Sequence, residues 1–194
     1  GLKTAEIEAV LGYQARAAER VEHPLRAEAL ACSSGGSGWI LVSADLGAFS
    51  SPLASRIRAD IAQATGLGRD AVLLLATHTH SGPHVTDALW REQSAQESAY
   101  FRELHGKLVD VAVRAWQARA PGGFVQGRTA APELGSNRRI QRPDGTWTNE
   151  FSDPEGRHTG YFDPTVELFG VRRPEGGLAA LLVNYGCHPV CFGA

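Results

Sequence analysis

Cysteine is scarce in this chain and methionine is missing from it. Cys32, Cys187 and Cys191 are an odd number and too few for a disulfide framework. Cys187 and Cys191 bracket His188, but a structural zinc site of that kind needs a second ligand pair at matching spacing, and the sequence offers none. All three are therefore expected to behave as small buried hydrophobes. No apolar run approaches the roughly 20 residues of a membrane span. Nor is there a basic excess: 19 Lys and Arg stand against 21 Asp and Glu, interspersed, which excludes the clustered footprint of a nucleic-acid binder. The opening GLKTAEIEAV lacks the apolar core of a signal peptide. A soluble, cytoplasmic protein is expected on that basis, with secretion open if a leader was removed upstream.

What is present reads as a globular α/β protein. The hydrophobic fraction of 43% and charged fraction of 21% suit one domain with a real core across the 194 residues. The tract 33-SSGGSG-38 marks a turn between strands, and 39-WILVSADLG-47 reads as a buried strand ending at Asp45. Ser50 or Ser51 caps a helix opened by Pro52 and stopped by Gly66. A second buried strand follows over 71–78. Phe101, Leu104, Leu108, Val111 and Ala115 then advance by 3, 4, 3 and 4, one apolar stripe of a helix over 96–120. A short strand at 123–130 precedes a polar, Gly/Pro-rich region, about 133–164, long enough to be functional rather than a plain connector. Two strands at 165–173 and 178–186, joined by 174-PEGG-177, close the pattern as a hairpin. The expected architecture is a mixed β-sheet flanked by helices, with a metal site at the carboxyl ends of strands, where open α/β sheets carry their sites.

Histidines mark those ends. The stretch 76-ATHTHSGPHV-85 places His78, His80 and His84 directly behind an apolar run. In an extended segment His78 and His80 would project to the same side and could share a metal, or one could ligate while the other faces a substrate. An ordinary polar loop is the competing reading. His188 follows another apolar run in 184-NYGCHPV-190, where Pro189 biases it away from helical geometry. Asp45 could orient a ligand imidazole or simply cap the turn behind its strand. His23, His105 and His158 are expected to be structural or solvated, and His84 a pocket-rim residue.

The segments THTHSGP (77–83), SNRR (136–139) and NYGCHP (184–189), in that order, resemble the N-terminal domain of neutral/alkaline non-lysosomal ceramidases. Gly12-Tyr13 and 24-PLRAEAL-30 are similar to that family's opening, and NRR…DG followed by DP…VELFGVRR resembles its shorter bacterial members more closely. The resemblance implies a zinc-dependent hydrolase of N-acyl amides, acting on ceramide or another small N-acyl or lipid substrate. It implies zinc ligands at His78 and His188, contacts to the scissile amide or product carboxylate from His80 and Arg138, and a backbone contact from Gly12. Arg139 would be the solvated neighbour. The family completes its zinc site with a Glu and a Tyr further along, so the chain is expected to be one catalytic domain, 1–194, incomplete at its C-terminal end; Tyr185 and Glu167 are not assigned those roles. Two alternatives stand beside this reading: a metal-dependent esterase or phosphoesterase, and a non-catalytic member that binds a lipid or acyl ligand. The two-metal phosphoesterase ranks lower, since only Asp45 and Asp87 lie close to the histidines in pattern.

Overall fold

The computed structural model describes residues 21, 23–83 and 95–188. They fall into two compact units, the first reaching Arg119 and the second covering Ala120–His188.

The first unit is built on a three-stranded mixed sheet. Strands β1 (Ala27–Ser34) and β2 (Ser37–Ala44) form an antiparallel hairpin through the Gly35-Gly36 turn, and β3 (Val72–Ala76) lies parallel to β2. Helix α1 (Ser51–Thr65) connects β2 to β3, as a parallel pair requires a crossover. Its boundaries are those its sequence dictates. The Ser50 hydroxyl accepts from the Leu53 N–H, Pro52 sits in the first turn, and Gly66 ends the helix at φ 74°, a left-handed conformation that costs glycine little. Helix α2 (Ala95–Gln117) brings Leu108 and Ala112 into the core, with Phe101, Leu104 and Val111 packed around them.

Both helices pack on the sheet face formed by Ile40, Val42, Ala44 and Val72, where Leu53, Ile57 and Ile61 of α1 meet them. Burying side chains of this size stabilises the unit by about 1.5–3 kcal/mol each. The alanines of β1 (Ala27, Ala29, Ala31) keep that edge of the face low, which lets α2 lie against it. The opposite face is thinly covered. Leu73 is 45% and Leu75 41% exposed, so β3 is half-buried, and the expectation of a buried strand is corrected. Its alternation is simply masked by leucines on both sides.

The second unit contains an antiparallel sheet in the order β4 (Gly123–Ala130), β7 (Thr165–Arg172), β8 (Leu178–Tyr185). The β7–β8 hairpin is the one expected from 174-PEGG-177, with a register shift at Val171/Arg172. The polar region before it carries structure of its own: a short hairpin of β5 (Arg139–Gln141) and β6 (Trp147–Asn149), followed by a loop returning to β7. No described helix is long and apolar enough to cross a membrane.

Candidate metal centre

The chain leaves β3 at Ala76 without diverging from the end of β2. The Thr77 N–H donates to Ala44 O at 3.0 Å and the His78 N–H to Leu46 O at 2.9 Å. His78 then turns into the left-handed region at φ 62°, the one non-glycine residue among those described to do so. Such a conformation costs a residue with a Cβ about 1–2 kcal/mol, and local strain of this kind collects at functional sites. It also corrects the expected extended geometry: His78 and His80 do not project together by strand alternation. They meet with the His78 backbone in the left-handed region.

The result is an edge-to-face pair. The two rings lie 4.8 Å apart between centroids at 87°, and their Nε2 atoms are separated by 3.3 Å. On the other side of its ring, His78 Nδ1 sits 2.7 Å from Gly47 O. A carbonyl can only accept, so Nδ1 carries the proton and Nε2 presents a lone pair. That is how a histidine is prepared to ligate a metal: the far nitrogen is anchored by a backbone or carboxylate acceptor, and the near one is left basic. The spacing suits an ion as well. Two nitrogens each about 2.0–2.1 Å from one tetrahedral zinc lie roughly 3.3–3.4 Å apart. The residues of this half-site therefore fit a zinc ion.

Asp45 lies beside this turn. Its Oδ2 accepts from the Arg26 N–H at 2.9 Å and its Oδ1 from the Thr77 hydroxyl at 3.1 Å. The carboxylate thus holds the residue preceding His78, while the Gly47 carbonyl holds the ring itself. Ser81 N donates to Thr79 Oγ1 and tightens the following turn. Gly82 leaves room for Leu25, whose Cδ1 would lie 3.2 Å from a Cβ there.

In the second unit, His188 follows the carboxyl end of β8 by three residues and is exposed. Arg138 opens the β5–β6 hairpin, with the Glu150 N–H donating to its carbonyl at 2.9 Å and its guanidinium 4.8 Å over the Phe151 ring. Arg139 is exposed, as expected of the solvated neighbour. Gly12 and His84 lie outside the described residues, as does Cys191. Cys32 is half-buried and Cys187 exposed, which corrects the expectation that both are buried.

Two contacts were not foreseeable from residue type. Nothing in the sequence marks Gly47 as the acceptor for His78, since a backbone carbonyl is common to every residue. His158 is another: its side chain is only 7% exposed, at Ser136 and Asp153. His105, by contrast, is the structural histidine expected, bonded through Nε2 to Asp60 at 3.0 Å.

The architecture and the anchored histidine beyond β3 define an α/β fold whose strand ends carry ligand-type residues. Among solved structures that fold is similar to a ceramidase complexed with C2, at 21% identity and a TM-score of 0.55. It is also similar to the neutral ceramidase from Pseudomonas aeruginosa, at 20% identity and a TM-score of 0.51. The likeness covers 78% and 77% of this chain but only 23% and 24% of those proteins, so the chain spans about a quarter of their length. No protein-family model and no characterised sequence matches the chain. At these identities the likeness establishes a shared fold.

Proposed function

We propose that this chain carries the metal-binding part of a zinc-dependent hydrolase of N-acyl amides, acting on ceramide or a related N-acyl compound. The observation that carries the reading is the anchoring of His78: a strained residue behind a strand end, with Nδ1 committed to Gly47 O and Nε2 3.3 Å from His80 Nε2. His78 and His188 are the metal ligands in this reading, each an exposed imidazole offering one ring nitrogen. The ordered recurrence of THTHSGP, SNRR and NYGCHP and the ceramidase fold support it together.

When bound, a zinc ion supplies Lewis acidity at the amide carbonyl and a water ionised near neutral pH. The remaining work falls to side chains. Thr77, held by Asp45, fixes the backbone that presents His78, so Asp45 acts as a positioning residue. His80 faces the amide, where its ring nitrogen donates to the developing oxyanion or passes a proton to the leaving amine. Arg138 grips the carboxylate that hydrolysis releases, a task suited to its planar fork of donors. Gly12 contributes a backbone contact to the substrate.

A second reading of His80 follows from its 3.3 Å separation from His78, which also suits two ligands of one ion. Elemental analysis decides both questions. We expect about one zinc per chain, lost in His78→Ala and His188→Ala, and retained in His80→Ala with hydrolysis abolished. Zinc loss in His80→Ala would make it a ligand. Protein that includes all sequence downstream of residue 194 and still takes up no zinc when supplied with it would sink the hydrolase and leave an acyl-binding or structural domain.

A further inference from the structure

We propose that His158 is a positioning residue for Arg138. The inference rests on the carboxylate-gripping role given to Arg138 above, and it names the groups that hold the guanidinium's backbone in place. Arg138 sits in a segment, Ser136–Arg139, pinned from the loop at 153–161 through two neighbouring residues.

The first pin is His158. Its Nδ1 lies 3.2 Å from Ser136 Oγ and 3.7 Å from Asp153 Oδ2. Asp153 also accepts from the His158 N–H at 2.9 Å and the Arg157 N–H at 2.5 Å, so the loop closes on its own carboxylate and presents the imidazole inward. The ring is buried, yet Nε2 has no hydrogen-bond partner among the described residues. An imidazole is a costly choice for a site that uses one of its two nitrogens. Only the Nδ1 edge is engaged, and it is engaged with Ser136, two residues before Arg138.

The second pin is Asn137. Its Nδ2 donates to Tyr161 O at 2.8 Å, its Oδ1 accepts from the Arg139 N–H at 3.0 Å, and its backbone bridges to Gly160. A Cβ at Gly160 would stand 3.1 Å from Asn137 Nδ2, so glycine is what lets the two strands of chain close up. With Ser136 and Asn137 fixed on one side and Glu150 N bonded to Arg138 O on the other, the backbone carrying the guanidinium has little freedom.

A serine, a histidine and an aspartate in mutual contact also invite comparison with a hydrolytic triad. The geometry excludes it. Ser136 and Asp153 both approach Nδ1, whereas a relay needs them on opposite nitrogens of the ring. The cluster therefore holds chain in place.

The test compares the affinities of hexanoate and hexanol, which share an alkyl chain and differ in the carboxylate, by NMR titration of the metal-loaded protein. We expect His158→Ala and Ser136→Ala each to reduce the preference for hexanoate about tenfold, the scale expected when a binding group is displaced by a fraction of an ångström to an ångström. Hexanol binding stays unchanged. His158→Asn, whose amide nitrogen occupies the place of Nδ1, restores the preference; His158→Gln, which reproduces Nε2, does not. Loss of affinity for both ligands alike would make His158 a purely structural residue and overturn the proposal. So would an unchanged preference in His158→Ala where Arg138→Ala abolishes it. An unchanged preference in Arg138→Ala itself would instead remove the carboxylate role of Arg138, and this proposal with it.

Discussion

At the residue scale, the site turns on His78. Its left-handed backbone is a cost taken on by an exposed residue. Glycine ordinarily destabilises relative to alanine through the freedom it has in the unfolded chain. Here the order should invert: in chelator-treated protein, His78→Gly is expected to be more stable to urea than His78→Ala by about 1 kcal/mol. The usual order would mean that the turn relaxes once the ring is gone and that no strain is stored there. The conformation was not legible in THTHSGP, because hydrophobic periodicity speaks of strands and helices and is silent on a single residue with positive φ. The histidines' placement behind a strand end was legible; how they meet was not.

At the element scale, the parts that could be read are those whose determinants are local. Helix α1 announces itself through Ser50, Pro52 and Gly66, all within or beside it. The β7–β8 hairpin does so through alternation and its Pro-Glu-Gly-Gly turn. The β5–β6 hairpin escaped notice because its strands have three residues each, too few for a period to show. The loop behind it depends on partners far along the chain, His158 on Ser136 above all. That loop carries a pH signature. The carboxyl of Asp153 is held below its ordinary 3.8, first by the His158 N–H, against an opposing desolvation, then by the Arg157 N–H and the charges of His158 and Arg157. A depressed carboxylate stabilises the fold above its unfolded value and loses that contribution as pH falls through the folded one. The stability gap in urea between wild type and Asp153→Asn should therefore be widest above about pH 4 and narrow below it. A gap that widens on acidification would mean that the carboxylate is not what closes the loop.

At the scale of the whole molecule, zinc is expected to act as a stabilising ligand. An ion that binds only the folded protein adds about 2.7 kcal/mol at a free concentration a hundred times its Kd. Wild-type Tm should rise with added zinc and fall back with chelator, while His78→Ala should stay flat. A rise of equal size in that variant would place the ion elsewhere. Each unit brings one part of the proposed chemistry: the first the anchored histidine beyond β3, the second His188 and the pinned Arg138. The fold class was recoverable because apolar strands and helices alternate along the chain.

The bond between His78 Nδ1 and Gly47 O has a consequence for genetics. The atom that sets the tautomer of the His78 ring belongs to the main chain, so no codon encodes it separately. Gly47 is not among the glycines with positive φ, and a Cβ there would sit 3.4 Å from Thr79 O, an ordinary contact. Alanine at position 47 would keep the carbonyl and hence the tautomer. A mutational scan would score the position as tolerant while one of its atoms held the centre of the site in register.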